Sequence, residues 1–168
     1  MPPTNMPPTN IIRHVREEHC VPALAGQTRE EVILEILQTF VASGVVGEGD
    51  SETLLQSVMR REDVGTTGIG NGIALPHPQT PEDVSGFLSD VLVGVGLSVP
   101  GVDFAAVDAA PVHAVFLVAS PDPKEYLQVA KRIAGLARDR LWPKLLRQCR
   151  TAKSMRELLE EAWEVVAP

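Results

Sequence analysis

Apolar positions along this chain recur with two periods, one suited to helices and one to strands. After Thr28, the residues Ile33, Ile36, Leu37, Phe40 and Val41 fall on one face of a helix. Thr28 and Glu31 have capping-box spacing at its start, and Gly44 suits its stop. A second helix is predicted from near Asp50 or Ser51, turning Leu54, Leu55, Val58 and Met59 inward. It delivers Arg60 and Arg61 at its C-terminal end, where the helix dipole favours positive charge. Val91 to Leu97 reads as a strand. Val112 to Val118 is almost wholly apolar, as a central strand covered on both faces requires. Tyr126, Ala130, Ile133 and Ala137 then mark one face of another helix, and Pro143 fits the first turn of a short one. Ser154 and Glu157 form a second capping box, ahead of Leu158, Leu159, Ala162, Trp163 and Val166 at helical spacing. This order predicts one α/β domain, a layered sandwich with a mixed central sheet and helices on both faces.

Residues 1–10 repeat Met-Pro-Pro-Thr-Asn twice, and the paired prolines predict an extended or disordered tail ahead of a domain at 11–168. The formal net charge of -7 disfavours non-specific binding to nucleic acid or to an anionic membrane. It suits docking on a partner with a basic face. Cys20 and Cys149 form no framework, so a reducing cytosol is the simpler expectation. Neither apolar stretch is long enough to cross a bilayer, and no N-terminal run reads as a signal peptide, which places the chain in the cytoplasm. His14, His19 and Cys20 are soft ligand types, but no second pair follows at ligand spacing and no metal is expected.

The chemistry concentrates between Arg61 and Pro78. Gly65, Gly68, Gly70 and Gly72 permit turns whose amides can converge on an anion, and Thr66, Thr67 and Asn71 add side-chain donors. The stretch lacks the Lys-Ser or Lys-Thr of a P-loop and the spacing of a dinucleotide fingerprint. It ends on His77, set between Pro76 and Pro78, which restrict the backbone on both sides. An imidazole whose N–H is held by a carbonyl presents its other nitrogen as a nucleophile. Phosphoryl transfer needs positioning and charge stabilisation above all, and Arg61 offers planar paired donors for phosphoryl oxygens. No metal or cofactor is required if the donor is another phosphohistidine. His113, inside an apolar strand, reads as a hydrogen-bonded core residue, and Asp103 and Asp108 read as turn residues.

Arg61-Glu62 followed by Thr67-Gly68-Ile69-Gly70-Asn71-Gly72-Ile73-Ala74-Leu75-Pro76-His77 resembles the active-site signature of the enzyme IIA domains of the bacterial phosphotransferase system. The resemblance is to the fructose/mannitol class, including its nitrogen-regulatory members. Residues 103–113 and 126–139 resemble the family's segments around its central strand and following helix. The resemblance implies a single domain with a sheet between helices. It implies that an HPr-type phosphocarrier gives its phosphoryl group to His77, with Arg61 near the site and Thr67, Gly68, Gly70, Asn71 and Gly72 as a phosphoryl-binding loop. The group then passes to a IIB domain, or the phosphorylation state controls binding to regulatory targets. One departure stands out. Where the family has a second histidine, this chain reads Glu125-Tyr126-Leu127. Tyr126 is open to two readings, as a neutral O–H donor in place of a cationic one or as a packed aromatic. The alternative function is therefore a IIA-like protein-binding module that is weakly phosphorylated or inactive.

Overall fold

The computed structural model describes residues 14–165, and side chains as far as Trp163. The N-terminal repeat and Val166 lie outside the described residues. Five strands form one mixed sheet in the order β1-β4-β5-β3-β2. They are β1 (Cys20–Val21), β2 (Gly68–Gly70), β3 (Ile73–Ala74), β4 (Leu92–Val102) and β5 (Val112–Ala119). The helices are α1 (Arg29–Ala42), α2 (Glu48–Val64), α3 (Glu82–Ser85), α4 (Pro123–Arg138), α5 (Trp142–Gln148) and α6 (Ala152–Val165). β5 is the central strand, antiparallel to β4 and parallel to β3.

Alternation along β5 explains its unbroken apolar sequence. Ala114, Phe116 and Val118 pack with Ile133, Leu136, Trp142 and Leu159 from α4, α5 and α6. Val115, Leu117 and Ala119 pack on the other face with Ile36, Phe40, Leu54 and Val58 from α1 and α2. The α/β sandwich expected from the sequence is the fold observed. Gly94 and Gly96 of β4 make room for α1. A Cβ on Gly94 would come within 2.5 Å of Ile36 Cγ2 and 2.9 Å of Phe40 Cζ.

Thr28 caps α1 as expected, its hydroxyl accepting from Glu31 N, and Gly44 follows the helix at φ 82°. Two helix starts differ from expectation. α2 begins at Glu48 behind Gly47, before the aspartate and serine that looked like its start. α6 is capped by Thr151 rather than Ser154. The Thr151 hydroxyl accepts from Ser154 N at 3.1 Å, which starts the helix one turn earlier and puts Ser154 inside it. Both errors share a cause, since polar residues in a first turn look like caps. α2 also runs on to Val64, so Arg61 sits within its last turn.

Candidate functional site: a half-buried histidine at the N-terminal end of α4

His77 lies on a short strap between β3 and α3, pinned on both sides. Val118 N of β5 donates to Pro76 O at 3.1 Å, and Gln79 N donates to Ser57 Oγ at 3.0 Å. The strap therefore hangs between the central strand and α2. Its imidazole lines a cavity of about 280 Å³ with Gln79, Thr80, Ser120, Tyr126 and Leu127. The first turn of α4 forms one wall, so the positive end of a 16-residue helix faces the cavity.

One hydrogen bond decides the chemistry of the ring. His77 Nδ1 lies 2.9 Å from the Leu75 carbonyl oxygen. A carbonyl only accepts, so Nδ1 carries the proton and Nε2 keeps its lone pair. Burial is the main reason the imidazole pKa falls below its usual value. The Leu75 carbonyl opposes the shift and the Arg61 charge adds to it. His77 is thus a neutral nucleophile at neutral pH, with a fixed tautomer.

The support for that bond runs back to α2. Leu75 N donates to Thr67 O at 2.9 Å, and the Thr67 hydroxyl donates to the buried carboxylate of Glu62. Arg29 stands 3.8 Å from the other Glu62 oxygen. Burial pushes the Glu62 pKa up, opposed by its bonds to Thr67 and by the nearby arginines. Glu62 stands in the sequence signature beside Arg61 but carried no role there; the structure shows it bonded to Thr67 and facing Arg29. Its signal was a carboxylate beside Arg61 on the inward side of an amphipathic helix.

Arg61 is near enough for its charge to lower the pKa of both His77 and Tyr126. One of its five N–H groups donates to Gly65 O at 2.7 Å, which leaves the others for a ligand. The Tyr126 ring lies against His77, centroids 4.7 Å apart at 36°. Burial raises its hydroxyl pKa to about 12. Ser120, at the end of the central strand, also borders the cavity, and no sequence motif marked it.

The glycine-rich stretch is placed differently from a phosphate cradle. Gly68 and Gly70 belong to β2, and Asn71-Gly72 forms a two-residue hairpin turn into β3. Both turn residues have positive φ, 55° and 77°, as a type I′ hairpin requires. The chain then travels from Gly72 to His77 along β3, about 16 Å for five extended residues. Asn71 is used locally, its side-chain amide donating to Ala137 O at 2.6 Å and its backbone N to Asp108 Oδ2 at 3.1 Å. Asn71 and Gly72 border a separate cleft. Gly70 and Gly72 serve the hairpin, Gly68 lets the chain pass close to Ala106, and among the loop residues Thr67 reaches the site, through Leu75.

Asp103 and Asp108 are turn residues as expected, whereas His113, expected in the core, is only partly buried and borders two clefts. Asp103 and Asp108 accept from backbone amides in turns. His113 donates from Nδ1 to Ser98 O at 2.9 Å. Among the described residues, no helix is long and apolar enough to cross a membrane.

A mixed five-stranded sheet between two helical layers, with the His77 imidazole held by a backbone carbonyl in a cavity, defines a single-domain α/β protein. Residues 13–162 match the family model of the phosphoenolpyruvate-dependent sugar phosphotransferase system, EIIA 2, and the chain belongs to that family. A nitrogen regulatory protein of Bradyrhizobium diazoefficiens is 30% identical over 158 residues, covering 92% of this chain and 95% of the relative. One from Pseudomonas aeruginosa is 36% identical over 116 residues, covering 65% of this chain and 71% of the relative. Among solved structures, the nitrogen regulatory protein IIA-Ntr of Neisseria meningitidis superposes with a TM-score of 0.75 at 21% identity, covering 89% of this chain and 98% of that one. The Escherichia coli mannitol IIA, captured with a phosphorylated IIB partner, gives 0.71 at 22% identity, covering 86% and 95%. At such identities the structural likeness speaks for the fold.

Proposed function

We propose that this chain accepts a phosphoryl group on His77 Nε2 from an HPr-type phosphohistidine carrier in the cytoplasm. It passes the group to a IIB domain or holds it as a regulatory signal. The observation that supports this reading best is the Nδ1–H bond to Leu75 O, which reserves Nε2 for attack. In the transfer, the Nε2 lone pair forms a new P–N bond as the carrier's P–N bond breaks. The electron pair of that bond returns to the carrier's imidazole, and the proton stays on His77 Nδ1, hydrogen-bonded to the Leu75 carbonyl. The Arg61 guanidinium and the α4 N-terminal end face the charge on the phosphoryl oxygens. Relatives named as nitrogen regulatory proteins match most of this chain's length, which favours the regulatory role.

Tyr126 favours a second reading, a IIA-like binding module with poor phosphoryl acceptance. A ring that stays neutral to about pH 12 supplies no cation to the phosphoryl group. Intact-mass measurement after incubation with phosphoenolpyruvate, enzyme I and HPr separates the two. One acid-labile phosphoryl group, absent in His77→Ala, is the expected result. An unlabelled native chain with its cognate carrier would establish the binding module instead.

A further inference from the structure

A second site lies at the far end of α4 from His77. Arg138 ends that helix, twelve residues beyond Tyr126 and so about 18 Å along the axis. There, Arg138, Arg140, Lys144 and Arg147 surround a cleft of about 600 Å³. With Arg150, they place five of the chain's 15 lysines and arginines within residues 138–150, in a protein of net charge -7.

Four cations outnumber the two acids, Asp108 and Asp139, that line the same cleft. None of the four makes an ion pair among the described residues. The two acids in the cleft are occupied by backbone. Asp139 Oδ1 accepts from Leu141 N and Trp142 N at 2.8 and 2.9 Å, and Asp108 accepts from Asn71 N and Ala110 N at 3.1 Å each. Hydrogen bonds from these amides hold both carboxyl pKa values below the usual range, so the acids stay charged without reaching toward the arginines. Lys144 and Arg147 are three residues apart on α5 and present both charges on one face. They also border an adjoining cleft of about 560 Å³, whose wall includes Pro22, Leu97 and Val99. Each cleft is of small-ligand size, and Lys144 and Arg147 line both, so the basic cleft adjoins one whose lining includes apolar side chains.

We infer that this basic cleft binds a small organic polyphosphate of nucleotide size. The phosphates sit among Arg138, Arg140, Lys144 and Arg147, and the organic body lies against the apolar wall beyond Lys144. Arginine is suited to paired contacts with phosphate oxygens, and concavity distinguishes the site from a scatter of solvated charges.

The probe is ATP, titrated into the full chain at about 0.15 M salt, where long-range surface attraction is largely screened. Amide NMR shifts should saturate and concentrate at Gly72, Asp139, Lys144 and Arg147. Arg140→Glu with Arg147→Glu should weaken binding at least ~10-fold, while phosphoryl labelling of His77 continues. Lys144→Gln, a single change at an exposed position, should weaken binding in the same direction and keeps the test valid if the double variant fails to fold. Shifts that never saturate, or that persist unchanged in both variants, overturn the inference. So does equal competition by poly-glutamate, which would make the cleft a docking surface for an acidic protein.

Discussion

The Tyr126 ring packs 4.7 Å from the His77 ring and tilts 36° from it, so an aromatic wall stands beside the nucleophile. Burial is the largest cause of the lowered imidazole pKa, and the Tyr126 ring is one of the groups that cover it. Tyr126→Ala should admit water and return the His77 pKa toward its ordinary value of about 6.5. An NMR titration of the ring checks this. In the native chain, the acid limb of the labelling rate should lie below that value, and in Tyr126→Ala it should move up. The stability effect has the same sign. A depressed histidine pKa means the unfolded chain binds more protons, so native stability is full above the ordinary value and falls as pH drops below it.

Tyr126→Phe separates the ring from its hydroxyl. The ring contact survives and one neutral donor is lost, worth about 1 kcal/mol. Labelling of His77 should slow about fivefold, with the His77 pKa unchanged. A rate equal to the native one would show that Tyr126 serves His77 as a packed aromatic alone.

Arg61→Ala should slow labelling about 100-fold, the usual cost of removing a preorganised charge from a transferring group. Arg61→Lys should recover part of the rate, since an ammonium restores the charge without the paired planar donors. Stopped-flow labelling by the phosphorylated carrier is the measurement. Equal rates for native and Arg61→Ala would place Arg61 outside the chemistry.

Glu62 makes a pH prediction of opposite sign. Its raised pKa means the native chain holds this proton more tightly than the unfolded chain. Stability from this residue is full below the ordinary carboxylate pKa and is lost as pH rises through the raised one. Glu62→Gln keeps an oxygen for the Thr67 hydroxyl and removes the titration. The Tm of native relative to variant should therefore fall from pH 4 to pH 7. A difference independent of pH would refute the assignment.

Gly94→Ala tests the packing of α1 on the sheet. The added methyl meets Ile36 and Phe40 at 2.5 to 2.9 Å, and such overpacking costs about 1–3 kcal/mol. Thermal melting should show the loss while the His77 pKa stays fixed, because Ile36 and Phe40 pack in a different core cluster from Leu75, whose carbonyl holds the imidazole.

Much of this fold was legible because burial writes a period into sequence. The two-faced apolar run of β5 announced a central strand, and the apolar stripe of α4 announced a helix against it. His77 stood out because two prolines bracket it. Other parts were illegible for physical reasons. Asn71-Gly72 satisfies both a hairpin and an anion nest, and the two differ in which partner lies opposite, here Ala137 and Asp108. Glu62 reads as one more carboxylate of a charged helix end until the turn after α2 brings the Thr67 hydroxyl back onto it. Such links join residues whose contact the local pattern does not encode.

The neutral aromatic at Tyr126 has a consequence for whatever reads this surface. With burial pushing the tyrosine hydroxyl up to about 12 and the imidazole below its ordinary value, both rings favour their neutral forms at neutral pH. Loading one phosphoryl group adds about two negative charges to that rim in a single step. A partner touching it meets two sharply contrasted states, and the contrast reports phosphoryl occupancy with little interference from acidity.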